Sequence, residues 1–250
     1  MKINVKGVPE TMIQTLYARA KETSKENPKI KDEMAVSIVK QLDYDFSQAD
    51  QDKTMRSGVI ARTIVLDKMV KEYLDKHKNT IVLNIACGLD TRCYRMKGKY
   101  IRWYNLDLPE TMNIRKQFLP ETGPIHQIAK SAMDETYTNT IHNEGEDVLV
   151  IIEGLTMYLT QIDIKKIFSI IEHTFSNVTI MVEVMSPFMV KHIKEKSIEG
   201  SRAKFTWGIK NGKELEKLIP SFSFLKEVSL VEEMKQLMPC LLYTSPSPRD

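Results

Sequence analysis

Cysteine, glycine and surplus charge are all scarce in this chain of 250 residues. Its three cysteines, Cys87, Cys93 and Cys240, have no metal-ligand spacing, and an odd number cannot close a disulfide framework. They read as small buried hydrophobes in a reducing, cytoplasmic compartment rather than as reactive thiols. The formal net charge is only +3 although 28% of residues are charged, so there is no global field of the kind that holds nucleic acid. No cationic leader with an apolar run opens the chain, and no apolar run reaches membrane-spanning length, which argues against export and against a membrane partner. What remains is a length suited to one α/β domain, burying roughly 70–75% of the surface its unfolded form exposes.

The stretch Ile81 to Arg95, IVLNIACGLDTRCYR, organises the rest. Ile81, Val82, Leu83 and Ile85 form a short apolar run suited to a strand buried on both faces. A turn follows, with Gly88 as its single glycine, at the point where the chain must fold sharply and let something approach the backbone. A second strand, Ile101 to Leu106, ends on Asp107. Nineteen residues separate Gly88 from Asp107, close to the roughly 20 between the glycine turn and the ribose-binding acid of a nucleotide-binding β-α-β unit.

The scarcity of glycine matters most here. A dinucleotide pyrophosphate needs a glycine-rich turn so that phosphate can meet the helix N-terminus. Here the run is Ala86-Cys87-Gly88-Leu89-Asp90, which sets a carboxylate where phosphate charge would be repelled. The turn therefore suits an adenosine ligand without phosphates. S-adenosyl-L-methionine is such a ligand, with a positive sulfonium centre, whereas a nicotinamide cofactor fits poorly.

In chain order, helical periodicity covers residues 9–25, Asp32 to Leu42, and a longer helix ending near Asp75. Arg62 lies in the third of these among apolar neighbours, either snorkelling at the surface or serving as a fork for a carboxylate. After Asp107, Pro109 begins a helix that runs to Leu119. Ile125 to Ala129 reads as a strand, and Ser131 to Asp134 as the loop at its end, where Asp134 either accepts from an adenine amino group or caps the next helix. Asp147 to Ile152 is the most apolar strand and runs straight into Glu153, a carboxylate that is costly unless it has partners and that points to a site. Tyr158, with an apolar ring and a polar tip, either lines a substrate pocket or packs. Gln161 to Phe175 is an amphipathic helix, Val178 to Val184 a strand, Phe188 to Trp207 lysine-rich and helical at its start, Gly212 to Leu218 a short helix, and Phe222 to Val228 a further strand. Residues 1–78 read as a helical cover belonging to the same domain, 79–231 as the ligand-binding core, and 232–250 as an atypical tail whose end, YTSPSPRD, has the composition of disorder.

With these residues placed, the chain resembles the leucine carboxyl methyltransferase family, which includes O-methyltransferases of the tetracenomycin polyketide type. The resemblance covers roughly Leu16 to Val231. It rests on Leu89-Asp90-Thr91-Arg92 and Tyr94-Arg95 after the glycine turn, on Asp107-Leu108-Pro109, and on Glu153-Gly154 with Met157-Tyr158-Leu159. It implies a class I methyltransferase fold, Rossmann-like, with a mostly parallel seven-stranded sheet and helices on both faces. It also implies that Arg62 holds the methionine carboxylate, that Gly88 is the turn glycine, that Asp107 binds ribose and that Glu153 is the acid after the fourth strand. Either Ser131 and Ala132 or Asp134 would contact adenine. Two departures stand out: Ala86-Cys87-Gly88 where the family usually has more glycine, and a tail that does not supply the final inserted strand.

The expected function is therefore S-adenosylmethionine-dependent methyl transfer to an oxygen, carboxylate or hydroxyl, of a small molecule or a protein C-terminus. A hydroxyl acceptor would need a general base, and His126 and His142 read as ordinary loop residues. Two rivals remain, an NAD-dependent oxidoreductase and a non-catalytic or degenerate member that binds adenosyl ligands. The sequence names no catalytic residue, metal or oligomeric state.

Overall fold

The structure is a computed structural model that describes residues 3–4, 10–192 and 204–237; Cys240 and the 241–250 tail lie outside the described residues. The chain opens with β1 (Ile3–Asn4), which pairs in parallel with β2 (Leu42–Asp43) beside the helices α1 (Glu10–Thr23) and α2 (Glu33–Gln41). Asp32 starts α2 by accepting the Ala35 N–H, the role a carboxylate plays at a helix N-terminus. After α3 (Ser47–Gln51), Asp52 caps the long α4 (Lys53–Lys76) in the same way. Then come β3 (Thr80–Ile85), the single turn α5 (Arg92–Arg95), β4 (Arg102–Asp107), α6 (Pro109–Phe118) and β5 (Ile125–Ala129). Pro109 sits in the first turn of α6, where its missing N–H costs nothing. A 3-10 segment leads to β6 (Asp147–Ile152), a capping box at Thr160 and Asp163 starts α7 (Gln161–Thr174), and β7 (Val178–Val182) follows. α8 (Pro187–His192), α9 (Gly212–Leu218) and α10 (Leu230–Leu237) complete the described elements, with α10 packed on α4.

The central sheet has five parallel strands in the order β5-β4-β3-β6-β7. Alternation within it is sharp. Ile81, Leu83 and Ile85 face one cluster with Val148, Val150, Ile152 and the α7 residues Ile164, Ile167 and Phe168. Val82 faces the other, with Leu149, Ile151, Trp103 and the α4 residues Leu66, Val70 and Leu74. Every residue of β3 is buried, as a central strand covered on both faces requires. The N-terminal helices form a third cluster that reaches the turn after β3 through Leu89.

Strand order reverses at β3: β4 and β5 build outward on one side and β6 and β7 on the other. The crevice at the carboxyl ends of β3 and β6 is thus the place where an open α/β sheet binds its ligand. Register sharpens this. Ile85 pairs with Leu106 and with Ile152, and Ile152 with Val182, so the next residues Ala86, Asp107, Glu153 and Glu183 stand in one row at the rim.

Two expectations are corrected. The central sheet has five strands, not seven, among the described residues. Phe222 to Val228 is not a strand. Its alternation of Phe222, Phe224 and polar residues serves packing against helices instead: the Phe222 ring meets Phe168 edge-on with centroids 5.6 Å apart, and the Phe224 N–H donates to the Glu216 side chain at 2.9 Å. No helix among the described residues is long and apolar enough to cross a membrane.

Candidate ligand cleft at the strand ends

The turn after β3 is held by three kinds of contact. Ala86 and Gly88 both take the left-handed conformation, φ 55° and 47°, which an alanine tolerates only where surroundings over-determine it. The Gly88 N–H donates to Asp107 Oδ2 at 2.7 Å, and the Leu108 N–H to Oδ1 at 2.7 Å, so one carboxylate bridges the ends of β3 and β4. Below the turn, Arg115 is fully buried and gives Nη1 to the carbonyls of Gly88 at 2.9 Å and Asp90 at 2.7 Å. Met12 of α1 lies over Gly88; a Cβ there would come within 3.1 Å of Met12 Cγ. Burial pushes the Asp107 carboxyl above its ordinary value, and the two backbone N–H groups offset only part of that.

Beside this turn runs a chain of buried and part-buried charges. Arg62 of α4 places Nε 2.7 Å from Glu153 Oε1, close but poorly aligned as a hydrogen bond, and Nη1 3.2 Å from Glu183 Oε2. Glu153 Oε2 takes Arg92 Nη2 at 2.8 Å, and Arg92, 1% exposed, also contacts Asp67 at 2.7 Å and Asp90 at 2.8 Å. Arg95 grips Asp67 with two nitrogens, 2.7 and 2.9 Å, and reaches Asp32 at 3.1 Å. Arg19 closes the chain by bonding Asp32 at 2.9 Å and the Leu89 carbonyl at 2.9 Å. The N-terminal helices are therefore fastened to the glycine turn by ions, not only by apolar contact.

Burial alone would raise the carboxyls of Asp32, Asp90 and Glu153, but neighbouring guanidinium groups win and hold all three below the ordinary carboxylate range. A carboxyl lowered on folding adds stability that is complete above its unfolded value and lost as pH falls through the folded one. Thermal unfolding followed from pH 7 downward should accordingly show little change to pH about 5 and a steep loss below about 4. A melting temperature that stays flat to pH 3 would contradict the network.

The candidates from the sequence divide. Arg62, Gly88, Asp107, Glu153 and Tyr158 all line one cleft, which has a volume of about 2800 Å³ because it runs on from the strand ends along β7. Tyr158 tilts against Phe205 with ring centroids 5.3 Å apart. Asp134 stands apart from the cleft. It is exposed and its Oδ1 accepts from Thr136 N at 3.0 Å and Thr136 Oγ1 at 2.7 Å, the capping alternative. Ser131 and Ala132 do not line the cleft either. Of the five histidines only His77 borders it, at the opposite end of the sheet beside Asp147, 2.9 Å away. His126 is in β5, stacked on Tyr104, not in a loop. Glu183, Arg19, Asp32 and Asp67 have no site role in the sequence reading, and Arg92 and Arg95 enter it only as part of the family resemblance. For Glu183 the signal was there, since an acid follows the apolar VTIMV just as Glu153 follows DVLVII.

Comparison with known proteins gives concordant results. The family described as leucine carboxyl methyltransferase matches residues 12–172. The tetracenomycin polyketide synthesis O-methyltransferase TcmP of Streptomyces glaucescens is 30% identical, over 92% of this chain and 86% of that protein. The S-adenosyl-L-methionine-dependent methyltransferase dpfgK of Gibberella zeae is 26% identical, over 94% and 87%. Among solved structures, a SAM-dependent methyltransferase from Anabaena variabilis superposes with a TM-score of 0.50 at 12% identity, over 66% of this chain and 73% of that one, a likeness of fold alone.

Proposed function

We propose, because the chain belongs to the leucine carboxyl methyltransferase family and is an S-adenosylmethionine-dependent methyltransferase, that it methylates an oxygen which reaches the cleft already ionised. A carboxylate on a small apolar molecule is the acceptor we favour. The observation that carries the ligand part is the 2.7 Å bond between the Gly88 N–H and Asp107, which sets a backbone turn and a carboxylate side by side at the switch point of the sheet.

The residues present fit a phosphate-free adenosyl group. Asp107 has acceptor capacity for ribose hydroxyls, and Gly88 lets the ligand come close to the backbone. In the network at the strand ends, Arg19, Arg62, Arg92, Arg95 and Arg115 stand among Asp32, Asp67, Asp90, Asp107, Glu153 and Glu183. That is one more acid than arginine, an excess suited to a ligand of net positive charge. Arg62 would take the methionine carboxylate, aligned by Glu153. When bound, S-adenosylmethionine supplies a methyl group on a positively charged sulfur, so the difficult chemistry is the cofactor's.

The protein's part is alignment in a dry site. Met157, Tyr158, Met185, Met189 and Phe205 line the cleft and offer an adaptable apolar wall for the body of the acceptor. No histidine lines the cleft at that end of the sheet, and Asp90, Glu153 and Glu183 there each face a guanidinium, so in this reading the acceptor oxygen brings the negative charge itself. A carboxylate does so at neutral pH. The name of TcmP, an O-methyltransferase of polyketide synthesis, supports oxygen as the accepting atom. We also place the enzyme in the cytoplasm, in keeping with the free buried thiols Cys87 and Cys93, with residues 79–231 as the catalytic core under a helical cover.

Incubation with cofactor labelled in its methyl group and a small-molecule extract, followed by mild base, tests the acceptor. Release of the label as volatile methanol is expected, the behaviour of a methyl ester. Label that survives base, as in an ether or a methylamine, would overturn the carboxylate acceptor; base-labile label on a protein, in a parallel incubation with whole-cell extract, would move the carboxylate to a polypeptide C-terminus.

A further inference from the structure

Gln14 of α1 is a buried polar side chain with nothing to bond. It is 3% exposed, and neither its amide oxygen nor its amide nitrogen has a hydrogen-bond partner among the described residues. Other buried polar groups of the helical cover differ. Arg19 bonds Asp32 and the Leu89 carbonyl, Glu22 accepts the Lys29 N–H at 3.0 Å, and Asp32 accepts the Ala35 N–H at 3.1 Å. Further along the chain Thr63, Asn84, Thr91 and Asn105 are as deeply buried, and each has a partner. Tyr137 shares the lack, but it stands away from the cleft. An unpaired amide at this depth lowers stability, so native structures seldom keep one without a use.

Its place on α1 points to that use. Gln14 lines the cleft together with Thr11 and Thr15, on one face of the helix. One turn further on, Ala18 packs with Val59 and Ile60, so this face looks toward α4. Met12, two residues before Gln14, points the other way and lies over Gly88. The amide is thus across α1 from the turn that Asp107 clasps, in the part of the cleft bordered by Met55, Gly58 and Val59 of α4. A cleft of about 2800 Å³ is well above the roughly 300–1,000 Å³ of an ordinary ligand pocket, which leaves space for a second molecule beside an adenosyl ligand.

The chemistry of an amide narrows what that molecule presents. Gln14 offers an acceptor, Oε1, and donors on Nε2. An ionised carboxylate only accepts and would leave Oε1 unmatched. A hydroxyl both donates and accepts, and it brings no second charge into a place where the nearby Arg62 already faces Glu153 and Glu183. We infer that Gln14 receives a hydroxyl group on the body of the acceptor, so that the enzyme prefers hydroxylated carboxylic acids to plain apolar ones. The inference rests on the reading of the cleft as a site of methyl transfer to a carboxylate, and it makes Gln14 a residue that sets specificity.

Gln14→Met keeps the unbranched length of the side chain and removes its amide. Both proteins are incubated with methyl-labelled cofactor and a small-molecule extract, the labelled products are separated, and acetic anhydride marks those that carry a free hydroxyl. The main labelled product of the unmodified chain should acetylate, and Gln14→Met should form it about tenfold or more slowly, the scale of one lost hydrogen bond to a substrate hydroxyl. S-adenosylhomocysteine, followed by calorimetry, should bind the two proteins equally within about twofold. The melting temperature of the ligand-free variant should rise by about 2–8 °C, because an unpaired buried amide has been removed.

A main labelled product that resists acetylation would overturn the inference. So would weaker binding of S-adenosylhomocysteine by the variant, which would give Gln14 to the cofactor. A lower melting temperature, or a variant that does not fold, would overturn it as well, since the amide would then be part of the framework. Label that survives base, on a product that acetylates and that Gln14→Met forms slowly, would remove the carboxylate and leave Gln14 in its role, so the two readings fail separately.

Discussion

Arg92→Met should lower the stability of the chain by about 3–5 kcal/mol, the scale measured when one partner of a buried ion pair is removed. Arg92 is 1% exposed and touches Asp67, Asp90 and Glu153 at 2.7–2.8 Å, so its loss strips a cation from three acids at once. Two of these keep a guanidinium, Asp67 through Arg95 and Glu153 through Arg62. Asp90 keeps the backbone N–H of position 92 and Asn84, each at 2.9 Å, but its one remaining cation is the more distant Arg95 at 3.6 Å. The volume of methionine is close to that of the arginine stem, so the loss is one of charge more than of packing. With total stabilities of about 5–15 kcal/mol for domains, a change of this size moves the melting temperature by about 6–20 °C.

The pH dependence gives this prediction a second edge. In the unmodified chain Arg92 is the largest of the charges that hold Asp90 and Glu153 low. Without it their folded values rise, the variant gains less from ionisation, and its deficit should shrink as pH falls toward about 4. A deficit that is the same at pH 7 and pH 4.5 would mean that Arg92 acts through packing. Activity should fall together with stability, because the same arginine joins α4, the glycine turn and the tip of β6, the three walls of the cleft.

Much of this architecture follows from patterns local in sequence. Strands with continuous apolar runs, IVL-NI and DVLVII, could only be central, and the end points of β5, β6 and α9 follow from the residues that bound them. The meeting of Gly88 and Asp107 was likewise readable, since a parallel β-α-β unit brings the ends of adjacent strands together whatever fills the turn. Local alternation misled at Phe222–Val228, where the phenylalanines pack on helices and the segment joins no sheet among the described residues. Asp134 shows a different limit: a short acid at a loop end satisfies the next turn through contacts two residues away, and nothing local separates that from ligand binding.

What the sequence hid is the ion network, because its members are drawn together across long spans. Asp32 and Arg95 are 63 residues apart, Arg92 and Glu153 61, and Arg62 and Glu183 121. A single arginine in an amphipathic helix looks the same whether it meets water or two part-buried glutamates. Only register reveals the difference, by setting Glu183 beside Glu153 at the rim.

Asp107→Asn should separate binding from stability. In the ligand-free chain this carboxylate sits where burial raises its pKa, so its charge at neutral pH is carried at a cost to folding, the opposite sign to Asp90 and Glu153. Asparagine removes that cost. Its amide oxygen keeps one of the two N–H donors from Gly88 and Leu108, and its amino group is turned against the other, a loss of about 1 kcal/mol. The two changes oppose each other, and the melting temperature should move by no more than about 2–4 °C. Cofactor affinity has no such compensation. A ribose that donates its hydroxyls to a carboxylate gains charge-assisted bonds, and with a neutral amide S-adenosylhomocysteine should bind about 10- to 100-fold more weakly, about 1.5–3 kcal/mol. Calorimetry beside a thermal melt reads both. An unchanged dissociation constant would remove Asp107 from the binding surface, and a collapse of the melting temperature would make it a structural clamp whose charge the fold requires.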